Sequence, residues 1–509
     1  MNIRKLLTRL VSLVLIAVFL PTVAMADTWY LEDGSITVSA TDSGQNVSQG
    51  GVTKEDSAPV IRNRDSSAST TNNVTIRADA GATANVTLED TNIDTTGGAG
   101  PKGAGDAAVR TEGGGNVNLN VELDNTLQSG NTHAGVEKGN GGNLTIGSES
   151  GSGQLVAVGA DGGAGIGSED RLASGNYNVG NITITGGDIF ATGNGGGAGI
   201  GGGWYCSASD ITITGGNVTA VGKEDNPNRI GGAGIGGGGS QSSNAGGGSN
   251  LKITGGRVTA VGGNFSAGIG GSIGSNGDNI TISDAEVIAI GGTCAAGIGG
   301  GCRLGNGIVG QGTNISISGS ANVKAAGGVG DSMDGAGAAI GAGGSHQGTT
   351  AQEGAADTSG LSPDGSVERL DPGTTFDIPQ PKPRSSFPKP APDPVAVEEE
   401  PQPVKAALYR VIDDAGKALP VETKQEDGVL LLTAQADIAI LEGAISGLQT
   451  LQSRGIDTIT FTNGTISVSF SLAEVIAKGA SSDVYRLTLS GGEANFTLAD
   501  ADITALLGK

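Results

Sequence analysis

The chain has 509 residues, a formal charge of −23, and 94 glycines against only 3% aromatic residues. Such acidity excludes a basic footprint for nucleic acid. The shortage of aromatics excludes an ordinary core built on Phe and Trp over most of the length, leaving Val, Ile and Ala as the apolar stock.

The first 26 residues read as an export signal. Arg4, Lys5 and Arg9 precede an apolar run from Leu10 to Leu20, too short to span a bilayer comfortably, and Ala24-Met25-Ala26 makes a small-x-small cleavage site. Loss of the three basic residues takes the formal charge from −23 to −26. No later segment is apolar enough to cross a membrane after cleavage, so the expected location is secreted, extracellular or cell surface.

Repetition then sets the architecture over 27–348. The first phrase is NITITGG at 181–187, repeated as SDITITGG (209–216), NLKITGG (250–256), NITIS (279–283) and NISISG (314–319). The second is DIFATG at 188–193, then NVTAVG (217–222), RVTAVGG (257–263), EVIAIGG (286–292) and NVKAAGG (322–328). The third is the AGIG phrase, marked by Ile166, Ile200, Ile235, Ile269, Ile298 and Ile340, at spacings of 34, 35, 34, 29 and 42. Looser copies, among them NVTLED (85–90), NVNLNV (116–121) and AGVEKG (134–139), extend upstream.

Each phrase alternates with period two and none is helical, which predicts a mainly β fold: a parallel β-helix with three strands per coil. Insertions of variable length are confined to a loop. The residue before the first strand is Asn143, Asn181, Asp210, Asn250, Asn279 and Asn314. Asn tolerates left-handed backbone, so these predict a structural ladder at a turn.

Two faces stand out as candidate binding surfaces. In A-G-I-G the Ala and Ile are expected to point inward. That leaves Gly165, Gly199, Gly234, Gly268 and Gly297 outward as a flat face, open to a glycan, a second copy, or the chain's own loops. In the second strand the outward set includes Val221, Val261, Ile288 and Ile290, unusually apolar for solvent and suited to self-association or a docked segment. Outward Thr183-x-Thr185 and Thr212-x-Thr214 pairs carry the spacing of an ice-binding ladder, but it decays to Lys252 and Thr254.

Cys294 and Cys302 flank one glycine-rich copy and are placed to form a disulfide in an oxidising compartment, leaving Cys206 over. No zinc pattern is present, with His133 and His346 far apart in sequence, and no cofactor is expected. Asp331 and Asp334 offer calcium only a lone loop. No coil collects the paired carboxylates of a glycosidase or the acid and basic set of a lyase, so no enzymatic activity is expected.

Eleven prolines between Pro363 and Pro403 mark an extended linker over 349–404. A small α+β domain follows over 405–509. Its strands are expected around 407–417 and 429–433, with a helix carrying Leu441, Ile445, Leu448 and Leu451. A hairpin turns at Asn463-Gly464, a short helix begins at Ser471, and a last hairpin turns at Gly491-Gly492.

The phrases ITITGG, NVTAVGG and AGIGGG resemble repeats of secreted and cell-surface proteins of Firmicutes, often described as carbohydrate-binding-domain-containing, whose fold is similar to the pectate-lyase-type right-handed β-helix. The resemblance covers about 140–345 well and 60–140 loosely. It implies an envelope or extracellular location and adhesion to polysaccharide or envelope glycan, and it carries over no catalytic residue. The other readings are a structural surface protein that packs against itself, and a polysaccharide lyase or hydrolase.

Overall fold

The computed structural model describes residues 27–97, 106–130, 132–170, 178–223, 230–241, 246–303, 308–345, 350–351, 353–384 and 409–508, the last with short gaps at 415–416, 418, 420, 427, 435, 454–455, 481–482 and 500. The expected export signal over 1–26, His346 and the prolines beyond 384 lie outside the described residues. The chain divides into two compact units, 1–391 and 392–509.

The first unit is a parallel β-helix. The three phrases build three sheets. Sheet one joins eleven strands from Thr28–Tyr30 to Ala356–Asp357, and sheet two joins nine from Asn92–Asp94 to Ser366–Leu370. Sheet three joins twelve strands, and its AGIG members are only two residues long, such as Ile200–Gly201. Each strand pairs in register with its copy one coil on, as Ile182↔Ile211 and Val258↔Val287 show. Period-two alternation turns one set of side chains inward. Ile182, Ile211, Leu251, Ile280 and Ile315 stack in one buried column, and Ile184, Ile213, Ile253, Ile282 and Ile317 in another. Val and Ala from sheet two and Ile from sheet three complete the core, narrow enough to need no aromatic ring.

The predicted ladder turn is present. Asn181, Asp210, Asn250, Asn279 and Asn314 have φ between 51° and 57°. The Asn279 amide donates to Asn250 Oδ1 (3.2 Å), and the Asn250 amide to Asp210 Oδ1 (3.1 Å). Asn314 departs, donating instead to Asp278 Oδ1 (3.1 Å). Asn143, nearer the N-terminal end, has no left-handed backbone, and its main-chain N–H donates to Asn116 Oδ1 (2.9 Å). Left-handed backbone costs an ordinary residue about 1–2 kcal/mol. Asn279→Ala should therefore lose about 1–2 kcal/mol, and Asn279→Gly, which suits that backbone, under about 1 kcal/mol. Urea unfolding of the two variants checks the order, and an alanine as stable as the glycine would refute it.

The ends of the solenoid differ from the repeat. At the first coil, strands Ile36–Thr41, Gly44–Gln49 and Val52–Glu55 run antiparallel, extending sheet three beyond the parallel stack. At the other end, the stretch read as the start of the linker continues the β-helix. Ala356–Asp357 pairs with the strand of Ile315, and Ser366–Leu370 with Asn322–Ala326. One proline, Pro363, falls in this stretch, and it does not break a final coil.

The second unit holds a five-stranded sheet (Arg410–Ile412, Ile438–Ala444, Val484–Ser490, Glu493–Leu498, Ala501–Asp502) and a four-stranded one (Val421–Glu426, Val429–Ala434, Thr458–Thr462, Ser467–Ser471). Two short helices, Ile445–Ser453 and Leu472–Ile476, accompany them. Both hairpin predictions hold. Leu441 lies in a strand, paired with Val411 and Leu487, so the helix begins four residues later than its spacing predicts. Aromatic side chains gather in this core: Phe470, Tyr485 and Phe496 touch one another.

Candidate functional site

The glycine face is not a surface. Gly165, Gly199, Gly234, Gly268 and Gly297 are all buried. A Cβ on Gly234 would lie 2.5 Å from Val261 N, 2.6 Å from Gly268 O and 2.9 Å from Ala260 C; on Gly199, 2.4 Å from Val221 N. Val221, Ala260 and Val261 are backbone of sheet two in the next coil, and Gly268 is the matching glycine of the next sheet-three phrase. The glycines sit where the tube narrows and sheet three closes directly on sheet two, leaving no room for a side chain. The outer side of sheet three is covered by the chain's own loops, which fold back on the turn before the strand. Trp204 N donates to Gly162 O, Gly239 N to Gly196 O, and Cys302 N to Phe265 O. The Cys294–Cys302 disulfide forms and pins one of these folds. Cys206 is buried, its sulfur against the carbonyls of Glu169 and Trp204.

Sheet two is also covered, by a segment of the same unit. After the last coil the chain turns back across the outside of the solenoid. Gly373 N donates to Gly327 O (2.9 Å). Further on, Lys382 N donates to Gln154 Oε1 (2.8 Å), and Lys382 Nζ meets Asp188 Oδ2 (2.7 Å). Arg384 then pairs with Asp90 Oδ1 (2.9 Å) and donates to Thr91 O. Between these anchors Thr374, Phe376 and Ile378 are half-buried while Thr375, Asp377 and Pro379 are exposed, an alternation that turns one side toward the sheet. Thr219 and Thr259 point outward on sheet two yet are only 6% and 2% exposed. Val221, Val261, Ile288 and Ile290 are half-buried in the same field. The apolar outward face therefore has an occupant, residues 371–384.

Among the described residues, the outer side of sheet one stays exposed. Its outward residues form two columns. Asn85, Asn118, Thr145, Thr183, Thr212, Lys252, Thr281 and Ser316 are in continuous register. Beside them run Thr87, Asn120, Gly147, Thr185, Thr214, Thr254, Ser283 and Ser318. Every one of these positions is exposed or half-exposed. At ~4.8 Å per strand the columns extend about 34 Å. Along these two columns the side chains are hydroxyls and amides, with Gly147 and one charge, Lys252; further charges stand at the margins, Glu89 and Glu122 beyond the second column and Asp357 at the far end of the first.

A second grouping has no counterpart in the sequence expectations. Arg110, Glu137 and His133 meet on the outside of sheet three near its older end. Arg110 Nε donates to Glu137 Oε1 (2.7 Å), and His133 Nδ1 lies 2.6 Å from Glu137 Oε2, 3.4 Å from Glu169 Oε2 and 3.2 Å from Arg110 Nη2. Burial opposes charge on His133, but the hydrogen bond and charge of Glu137 outweigh it and raise its pKa above 6.5. Burial opposes charge on Glu137 as well, and His133 and Arg110 overcome it, holding the carboxyl below its usual range. Burial and the neighbouring Glu137 push Glu169 upward. The His133 share of the pairing is therefore full below about pH 6.5 and fades as pH rises through its raised value; the Glu137 share is lost as pH falls through its depressed one. Next in sequence, Lys138 turns into the coil corner and donates to Asn140 O and Gly142 O, and burial brings its pKa down to about 8. One signal was visible: Glu137 occupies the register position of Gly167, the final glycine of the next AGIG phrase.

The sequence comparisons agree with this architecture. Residues 182–204, 211–239, 251–274 and 280–302 match the family model described as "Beta helix repeat". No curated protein and no solved structure matches the chain.

Proposed function

We propose that this chain, a parallel β-helix repeat protein with a small C-terminal sheet domain, is a secreted, non-catalytic binding protein that holds polysaccharide or envelope glycan against the outward face of sheet one. The observation that carries this reading is the contrast among the three faces. Among the described residues, sheet three is closed by its own loops and sheet two by residues 371–384, while the paired columns of sheet one stay exposed and carry one charge, Lys252. A glycan presents hydroxyls at short regular intervals. Stacked Asn, Thr and Ser side chains offer donors and acceptors at a matching regular spacing along a rigid ladder. Without aromatic rings to stack on sugars, each contact is weak, and affinity comes from repetition along the ~34 Å columns. The export signal and the Cys294–Cys302 disulfide support an extracellular setting.

The test is retention of the purified chain on insoluble and immobilised polysaccharides. The double variant Thr183→Glu, Thr212→Glu puts two carboxylates mid-column without touching the core. It should lose at least about tenfold in retention, by loss of cooperating contacts, with an unchanged melting temperature. Equal retention by the double variant, or no retention of the parent on any polysaccharide, would reject sheet one as the binding face.

A further inference from the structure

We propose that His133, Glu137 and Glu169 form a binding site for one divalent transition-metal cation, of the zinc and manganese class, on the outside of sheet three. The three donors come from separate places in two successive coils: a turn, a strand and the following turn. Nevertheless His133 Nδ1 and one oxygen of each carboxylate all lie within 4.8 Å of one another. Donors at metal-bond distances of about 2.0–2.2 Å from a common centre fit inside that limit with small side-chain shifts.

The surroundings are shaped for a cation. His133 Nδ1 has carboxylate oxygens on two sides, at 2.6 and 3.4 Å, and a guanidinium nitrogen at 3.2 Å. A single proton on Nδ1 points at one acceptor, and it faces the guanidinium N–H as a second donor. A divalent cation in place of that proton engages both carboxylates at once and takes the imidazole lone pair, so the nitrogen is a ligand rather than a contested donor. Arg110 holds Glu137 Oε1 and leaves Oε2 directed at His133, the arrangement by which an outer partner orients a metal-binding carboxylate. Glu137 is buried where the next coil has glycine, so its carboxylate is fixed by packing as well. Charge points the same way. Asp106, Glu137, Glu169 and Asp170 act on this cluster, and among the described residues Arg110 is its one permanent cation. One imidazole with two carboxylates is a mixed nitrogen and oxygen set. That favours zinc, manganese or cobalt over calcium and magnesium, which take oxygen ligands alone.

This inference does not rest on glycan binding by sheet one. The experiment uses the full chain, stripped with chelator and titrated with ZnCl2 against a chromophoric competitor, with CoCl2 as a spectroscopic probe and CaCl2 as contrast. The expected result is one equivalent of zinc bound at micromolar affinity or tighter. The cobalt complex should show visible bands without the sulfur charge-transfer band that Cys206 would give. Glu169→Gln changes a half-exposed side chain, so it tests binding in a folded protein; it should weaken zinc binding at least tenfold. His133→Ala should abolish it. Binding unchanged in Glu169→Gln, a thiolate band with cobalt, or calcium binding as tightly as zinc would each overturn the proposal.

Discussion

Gly234→Ala, a single added methyl group, will destabilise the β-helix by about 3 kcal/mol or more, a cost at the upper end for overpacking because backbone cannot step aside as a side chain does. The new Cβ would stand 2.5 Å from Val261 N and 2.6 Å from Gly268 O, both held in strand ladders by their own hydrogen bonds. Gly186→Ala is the matched control. Its Cβ would meet nothing closer than 3.7 Å, and its effect should stay within about 0.5 kcal/mol. Urea unfolding of the two variants gives the comparison directly. A Gly234→Ala protein as stable as the parent would mean that the glycine row is free after all, and would return it to the surface as a binding face.

The second large effect concerns residues 371–384. Phe376→Asp with Ile378→Asp places two carboxylates on the half-buried side of the segment that crosses sheet two. Burying unpaired charge there is costly enough to lift the segment from the sheet. Two readouts should move together. Proteolysis within 371–384 should accelerate at least about tenfold, since a lifted segment opens with little local stability. The uncovered apolar strip should also drive concentration-dependent association, visible by light scattering. Unchanged proteolysis would show that the anchors at Asp188 and Asp90 suffice without the apolar contacts, and a monomer with fast proteolysis would remove the reason for covering the face.

The stacked core was legible in the sequence because alternation and fixed phrase order determine it. Ile182 and Ile211 can be paired by eye, and the register bears them out. Left-handed Asn250 and Asn279 were equally readable, since few other residues tolerate that backbone. The direction of the glycines was not. Parity in A-G-I-G assigns them to the side opposite Ile, but a two-residue strand beside a tight corner does not keep the regular pleat, and no local pattern states how near another sheet passes. Residues 371–384 were misplaced for a related reason. Proline-rich chain is extended whether it crosses solvent or a sheet, and only the distant partners of Lys382 and Arg384 decide which. His133 was unreadable by motif because its partners, Glu137 and Glu169, come from different coils. Leu441 belonged to a helical pattern that its two strand neighbours overrode.

A solenoid whose coils touch only their neighbours behaves as a one-dimensional stack, free to fray inward from either end one unit at a time. The returning segment changes that topology. Its bonds join residues 228 and 294 positions apart in sequence, Gln154 to Lys382 and Asp90 to Arg384. A coil near the start is thereby tied to chain that has already passed the last coil. Loss of the final turns of the solenoid also releases the clasp on the early ones, so the stack is expected to unfold more nearly as one body than as a row of independent steps. The same clasp can close only after the final coil has been made, which gives the chain a late, long-range event in a fold otherwise assembled from near neighbours.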